Sequence, residues 1–428
     1  MTTQPDQTTY WARRFIQGGI ILIVGVMPFH AFFTTWLGSV VGYRGLWQSW
    51  KELLIVMMVG SLVWLMWKVP AYRSIWQEPW VKDASFFAGI AVVVSFVAIF
   101  NQTSTFWPVV YGLKIDLEFW VIAVLAFSVS STKLITKAIS VTLAAGFVVS
   151  IFVVLQAYVL PPDWLTQFGY GPTTIPPFLY LTATSDTLRF AGTLGGPNQL
   201  GTYLVIIIAL SIIQIVRHPL IIGGLGLNFL ALWNSYSRSA WLAALVTLPL
   251  IWLHIAHRHR RLAALGGAAF ILAAMIATTM LINKYPALQE SILHSTAAHH
   301  QNAASSDSLR LTSIQEGAQA VLTSPLGHGL GSAGPATFQL AEPLIIENQF
   351  LQIGYETGWL GLGAFGIALS LLIMSAWRSR QQPFGIAMAV AVTAIALAGF
   401  MLPTLTDSST ALIAFSLAGL ASGNKPHV

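Results

Sequence analysis

The chain has 428 residues, of which 55% are hydrophobic and only 8% charged, with a formal net charge of +6 and no cysteine. Soluble domains carry about 25% charged residues, so the composition excludes a soluble globular enzyme and points to a polytopic membrane protein. The missing thiols exclude disulfides, thiolate nucleophiles and cysteine-ligated metals, and the modest positive balance fits cytoplasmic anchoring residues rather than a nucleic-acid partner.

A helix needs about 20 mainly apolar residues to cross the hydrocarbon core of a bilayer. The polar segment 1–14 ends in Arg13-Arg14 and precedes an apolar run too long for a signal-peptide core, with no clear small-residue cleavage site; it is expected to lead into an uncleaved first span. Spans are expected over 16–37, 48–67, 84–100, 107–130, 135–159, 199–216, 219–236, 239–256, 262–282, 354–377, 383–402 and 409–423, which gives an all-α, polytopic single membrane domain over 1–428 with about twelve transmembrane helices. The fourth span carries Lys114, Asp116 and Glu118, expected to form an internal charge network. With the N-terminus inside, about two thirds of the 21 lysines and arginines fall on cytoplasmic segments or inner span ends, among them Arg13, Arg14, Lys133, Lys137 and Arg258. That asymmetry places both termini in the cytoplasm.

Two long polar segments then lie outside. The first, residues 161–198, is rich in proline, glycine and aromatics and contains Arg189-Phe190-Ala191-Gly192. The second, residues 283–352, is the longest polar interruption in the chain, and loops of that length are usually functional or disordered. Within it Asp307 is expected to cap a helix whose apolar positions Leu311, Ile314, Ala318, Val321 and Leu322 follow helical spacing. Arg310 stands at the start of that helix and Ser324-Pro325 ends it. The glycine-rich turn Pro325-Leu326-Gly327-His328-Gly329-Leu330-Gly331 follows, and Glu347-Asn348 closes the segment before the next apolar run.

Arg189, Arg238 and Arg310 are the side chains on these outer segments best suited to an anionic substrate, because a planar guanidinium binds phosphate through two parallel hydrogen bonds. Each of them could equally anchor a helix end or pair with a carboxylate. Glu347, at the edge of an apolar run, has the chemistry of a general base and also that of a carboxylate favoured by a helix N-terminus. His328 is a second candidate base, although a histidine in a turn is more often only solvated. His294, His299 and His300 sit in a polar, alanine-rich stretch that argues against a metal site, and Asp407 is a weak further candidate for the outer site. There is no phosphate-binding loop of the Walker type and no Rossmann glycine pattern, so ATP-driven transport by this chain is not expected.

Taken together, Arg189-x-x-Gly192 with Pro197-Asn198, Ser237-Arg238-Ser239-Ala240, Arg310 with Pro325-x-Gly327-x-Gly329, and Glu347-Asn348 followed by Glu356-Thr357-Gly358-Trp359-Leu360-Gly361 resemble the O-antigen ligase and polysaccharide polymerase family of bacterial inner membranes. The resemblance covers about the second half of the chain. It implies a membrane fold like that of GT-C type glycosyltransferases and a transfer at the periplasmic face that needs no metal or cofactor. A glycan would leave undecaprenyl diphosphate for a hydroxyl of lipid A–core or of a second lipid-linked glycan. Arg189 and Arg238 would hold the diphosphate, Arg310 would face the lipid-linked donor, Asn348 would contact substrate, and Glu347 would activate the acceptor. Ligases of this family carry histidine followed by asparagine where this chain has Glu347-Asn348, a departure that brings a polymerase into close competition. A secondary transporter or lipid-linked glycan flippase is the alternative from another class. Transporters place charged residues at the bilayer midplane within repeated halves, whereas these charges sit at the outer edge and no repeat is visible.

Overall fold

A computed structural model describes residues 7–101, 104–181, 187–215, 221–255, 306–339, 344–379 and 385–423. The described chain is helical apart from one two-stranded ribbon: α1 (Gln7–Val26), α2 (His30–Val40), α3 (Arg44–Gln48), α4 (Trp50–Lys68), α5 (Pro79–Phe100), α6 (Phe106–Ser128), α7 (Thr132–Tyr158), α8 (Pro197–Ile215), α9 (Ile221–Ser235), α10 (Arg238–Ile255), α11 (Ser306–Thr323), α12 (Gln349–Arg378), α13 (Gly385–Ala398) and α14 (Ser408–Gly423). The expected span 16–37 runs through α1, a 3-10 turn (Met27–Phe29) and α2, and each of the others except 262–282, which lies outside the described residues, overlaps one of these helices. Six helical segments among the described residues are long and apolar enough to cross a membrane: Gln7–Val40, α4, α5, α7, residues 197–214 of α8, and α12. That supports a helical membrane protein. It does not reach the count of twelve, because α9, α10, α13 and α14 are shorter and α6 carries the charges noted above.

Contacts divide the chain into two compact units, a subdivision that composition does not reveal. The first comprises Met1–Met27, Gly45–Thr142 and Ser313–Val428. At its centre α6 packs on α14, α4 and α5, while α12 packs on α5, α13 and α14. An aromatic cluster fills the middle: Phe119 and Phe415 lie 4.7 Å apart, Trp120 and Phe415 5.2 Å, and Phe87 and Phe365 5.3 Å. Nearly every residue of α13 and α14 is buried, as expected of helices apolar on all sides. By contrast α4, α5 and α12 turn Val56, Val63, Phe96, Leu360 and Ile367 outward. Water would penalise such faces, and hydrocarbon would not.

The second unit comprises Pro28–Arg44 and Leu143–Thr312. Here α8 packs on α9 and α10. The segment expected as the first outer loop holds a short 3-10 helix (Trp164–Phe168) and an antiparallel ribbon, β1 (Leu179–Tyr180) and β2 (Leu188–Arg189), in which Leu179 pairs with Arg189 and Tyr180 with Leu188. Phe168 packs against Phe32 of α2 at 5.2 Å, closing the loop over its own unit.

Candidate active site

In the second unit the ribbon delivers Arg189 to the turn between α9 and α10. Its Nε donates to the Ser235 carbonyl at 3.1 Å and its Nη2 to Asn198 Oδ1 at 3.0 Å. Those two bonds fix the guanidinium plane between the end of α9 and the start of α8. The turn itself is tight. Tyr236 takes a left-handed φ of 48°, Ser237 N donates to Ser235 Oγ at 3.2 Å, and the Ser237 and Ser239 hydroxyls lie 3.2 Å apart. Gly201 lets α8 approach α10 closely, since a Cβ there would come within 2.7 Å of Ser237 and 2.8 Å of Ala240.

Arg238 is the first residue of α10 and is half-buried. A cation at a helix N-terminus opposes the helix dipole, so helix stability does not explain its placement. The Arg189 guanidinium and the N-termini of α8 and α10 come together at this turn, and Arg238 opens α10 there; backbone N–H groups and positive charge at such a place favour an anion. Arg310 belongs to α11, but its side chain lies outside the described residues. His294, His299 and His300 lie outside them as well. α11 begins at Ser306, so Asp307 stands inside its first turn rather than at the cap, and the helix stops at Thr323, just before Ser324-Pro325.

In the first unit α12 organises everything. Asn348 caps it: the side-chain carbonyl accepts from Phe350 N at 2.9 Å and Leu351 N at 3.0 Å, and Nδ2 donates to the Phe400 carbonyl at 2.9 Å. An asparagine before an apolar run is an N-cap signal, and this is the same residue that the family resemblance assigns to substrate. The cap leaves Glu347 just outside the helix and half-buried, with its backbone N donating to Ser313 Oγ of α11 at 3.1 Å.

Further along, α12 breaks at Gly358, whose φ of 71° and ψ of −176° are not helical. The break frees backbone groups that the glycine-rich turn then takes up. His328 N donates to Tyr355 O at 3.0 Å, Gly329 N to Glu356 O at 2.8 Å, and Trp359 N to Pro325 O at 3.0 Å. Gly327 lies so close that a Cβ would come within 2.5 Å of Gly358 N. The His328 ring stacks on Tyr355 at 4.1 Å, with Nδ1 3.3 Å from the Tyr355 carbonyl and Nε2 3.5 Å from Ser324 Oγ. The structure thus ties His328 to the break, while Glu347 stands before the first turn of α12, about 12 Å from Tyr355 along the helix axis at 1.5 Å per residue.

Glu356 is the residue that sequence reasoning used only as part of a motif. Its Oε1 accepts from Gly331 N at 3.0 Å and Ala333 N at 3.2 Å, and Leu330 N donates to Ser95 Oγ of α5 at 2.9 Å. Glu356 and Asp116 are each only 1% exposed, and they lie close to one another in the interior of the first unit. Asp116 Oδ1 and Glu356 Oε2 have no hydrogen-bond partner among the described residues. The internal network expected from Lys114, Asp116 and Glu118 is therefore wired differently. Lys114 pairs with Glu52 at 2.6 Å, the buried Lys51 reaches Glu118 at 3.4 Å and also Glu52, and Asp116 turns to Glu356. Asp407 stands at the start of α14, where Oδ2 accepts from Thr410 N at 3.1 Å and Thr410 Oγ1 at 2.5 Å, and burial pushes its carboxyl above the usual carboxylate range. Among the described residues no cluster of three or more metal-ligating side chains occurs.

Residues 223–366 match the model of a family described as O-antigen ligase. Over that stretch, about a third of the chain, the sequence is similar to O-antigen ligases. Members of this family are glycosyltransferase-like enzymes, ligases or polymerases, that use lipid-linked glycans in membranes. The matched stretch holds Arg238, Arg310, His328, Glu347, Asn348 and Glu356, and Arg189 precedes it. A search of curated proteins found no match.

Proposed function

We propose that this protein transfers a glycan from undecaprenyl diphosphate to a sugar hydroxyl at the periplasmic face of a bacterial inner membrane, in the manner of an O-antigen ligase. The match of residues 223–366 to the O-antigen ligase family model carries the reading, and the turn that holds Arg189 and begins α10 with Arg238 supports it. In the reaction the acceptor oxygen bonds to the anomeric carbon as the bond from that carbon to the diphosphate oxygen breaks. The hydroxyl proton passes to Glu347 and the electron pair leaves with the diphosphate. Arg189, Arg238 and Arg310 are assigned to the departing charge, which grows in the transition state and rewards fixed cations. Glu347 is the assigned base, His328 the secondary candidate, and Asn348 holds Glu347 in place through the cap. The step as written draws on no metal or cofactor. The same reading takes the architecture as twelve spans of the GT-C type, with 262–282 as the ninth.

One observation favours repeat-unit polymerisation as a second reading: the acidic Glu347 stands before Asn348 where ligases of this family have histidine. Incubating purified protein with undecaprenyl-diphosphate glycan and either lipid A–core or further donor separates the two. Transfer to lipid A–core identifies a ligase and chain extension of the donor identifies a polymerase. Transfer to neither refutes both. Glu347→Ala is expected to lower the rate at least a hundredfold, the usual contribution of a positioned base; full activity would remove Glu347 from the reaction.

A further inference from the structure

We propose that a cationic cleft in the first unit, between α1 and the start of α7, binds a phospholipid with an anionic headgroup. The cleft encloses about 470 Å³. Arg14, Lys133 and Lys137 line it together with Gly18, Ile21 and Leu134, which add apolar surface, and among the described residues no acidic side chain lines it. All three ion pairs found among the described residues involve Lys51 or Lys114 and lie elsewhere.

Three features support a site here. The Arg14 guanidinium is held in place, with Nε donating to the Tyr10 hydroxyl at 3.1 Å and the charge 5.4 Å over the Tyr10 ring. Lys133 and Lys137 are one turn apart in the first two turns of α7, where the dipole repels cations. A bound anion would cancel that repulsion together with their mutual repulsion. Gly18 has nothing within 4 Å of where its Cβ would stand, which keeps the slot open.

The ligand must be anionic because of the three cations, and it must be amphipathic because an apolar wall offers nothing to a free anion. The cleft also lies at one end of two helical segments long enough to cross a membrane, Gln7–Val40 and Thr132–Tyr158. Basic pockets between membrane helices on the cytoplasmic side take anionic headgroups on these terms, and the charge distribution assigns Arg14, Lys133 and Lys137 to that side. None of these residues has a role in the proposed transfer, so the two proposals fail separately.

The test is native mass spectrometry of the delipidated full chain titrated with phosphatidylglycerol or phosphatidylcholine. Phosphatidylglycerol is expected to be retained and phosphatidylcholine not. Each lysine near a membrane surface contributes about fivefold, so K133A/K137A is expected to weaken retention about 30-fold, and K133R/K137R to restore it. Gly18→Leu, which fills the slot and keeps every charge, is expected to weaken it too. Equal retention of the two lipids, or alanine variants that bind phosphatidylglycerol like the parent, would overturn the site. Displacement of the lipid by equimolar inorganic phosphate would overturn its assignment to a lipid.

Discussion

The arginine corner at the α9–α10 turn and the glycine-rich turn on α12 are both polar breaks in an apolar chain, and they are built in opposite ways. In the glycine-rich turn five consecutive or near-consecutive amides, from His328 to Ala333, are bound by groups of α12 or α5, and a buried carboxyl supplies two of those bonds. The corner is instead organised around two long cationic side chains, both half-buried, set beside the N-termini of α8 and α10. One turn spends its polarity on itself, and the other is the corner to which the proposed function assigns the donor's charge. A polar residue in a membrane protein is thus informative about chemistry only after its local partners have been counted.

Substitutions can break that contrast. The largest effect is expected from Gly331→Ala. Gly331 has a φ of 79° and a Cβ there would collide with the Pro108 carbonyl, so strain and clash together should cost about 3 kcal/mol or more. Size-exclusion chromatography in detergent should show little monodisperse protein, and a normal yield would mean that the turn is looser than described. Glu356→Ala leaves the Gly331 and Ala333 amides without their acceptor and should cost about 2–4 kcal/mol. Glu356→Gln, which keeps an acceptor oxygen, should lose less, and thermal unfolding would rank the two; equal melting of both with the parent would deny the carboxyl its role as an anchor.

Arg238→Lys sharpens the other side of the contrast. Lysine keeps the charge but loses the planar fork, so the transfer rate should fall about tenfold while the melting temperature stays near the parent's; an unchanged rate would reduce Arg238 to an anchor. The smallest effect belongs to Asn348→Ala, which removes a helix cap worth about 1 kcal/mol. It should lower the melting temperature slightly and weaken activity only through the position of Glu347. If it left stability untouched while abolishing transfer, Asn348 would be a substrate contact after all.

The helices were legible in the sequence because apolar runs and their punctuation are local signals. Asn348 also had a local signal, since it stands directly before the apolar run of α12. What stayed hidden was pairing across distance. Lys51, a cation near the start of the second expected span, is only 2% exposed and bound to Glu118 on α6. Asp116 had a lysine two residues away in the chain, and it turned to a glutamate 240 residues later because α6 and α12 bury those faces in the same unit. Helical periodicity says which residues share a face, but not which helix will lie against it. The motif around Glu356 was visible as letters, and only the kink at Gly358 shows why a carboxyl is needed there: it meets the amides of a turn that no helix or strand could satisfy.

The first unit is assembled from three separated stretches of chain, and α14, the last of its described helices, is buried along nearly its whole length against α6 and α13. During synthesis, about 280 residues separate the end of α6 from the start of α14. Over that interval α6 sits in the bilayer with an open slot, and the helices that flank it await their partner. Insertion order therefore makes this unit a late product of biogenesis, and chains released before α14 emerges would present that slot to the machinery that removes unassembled membrane proteins.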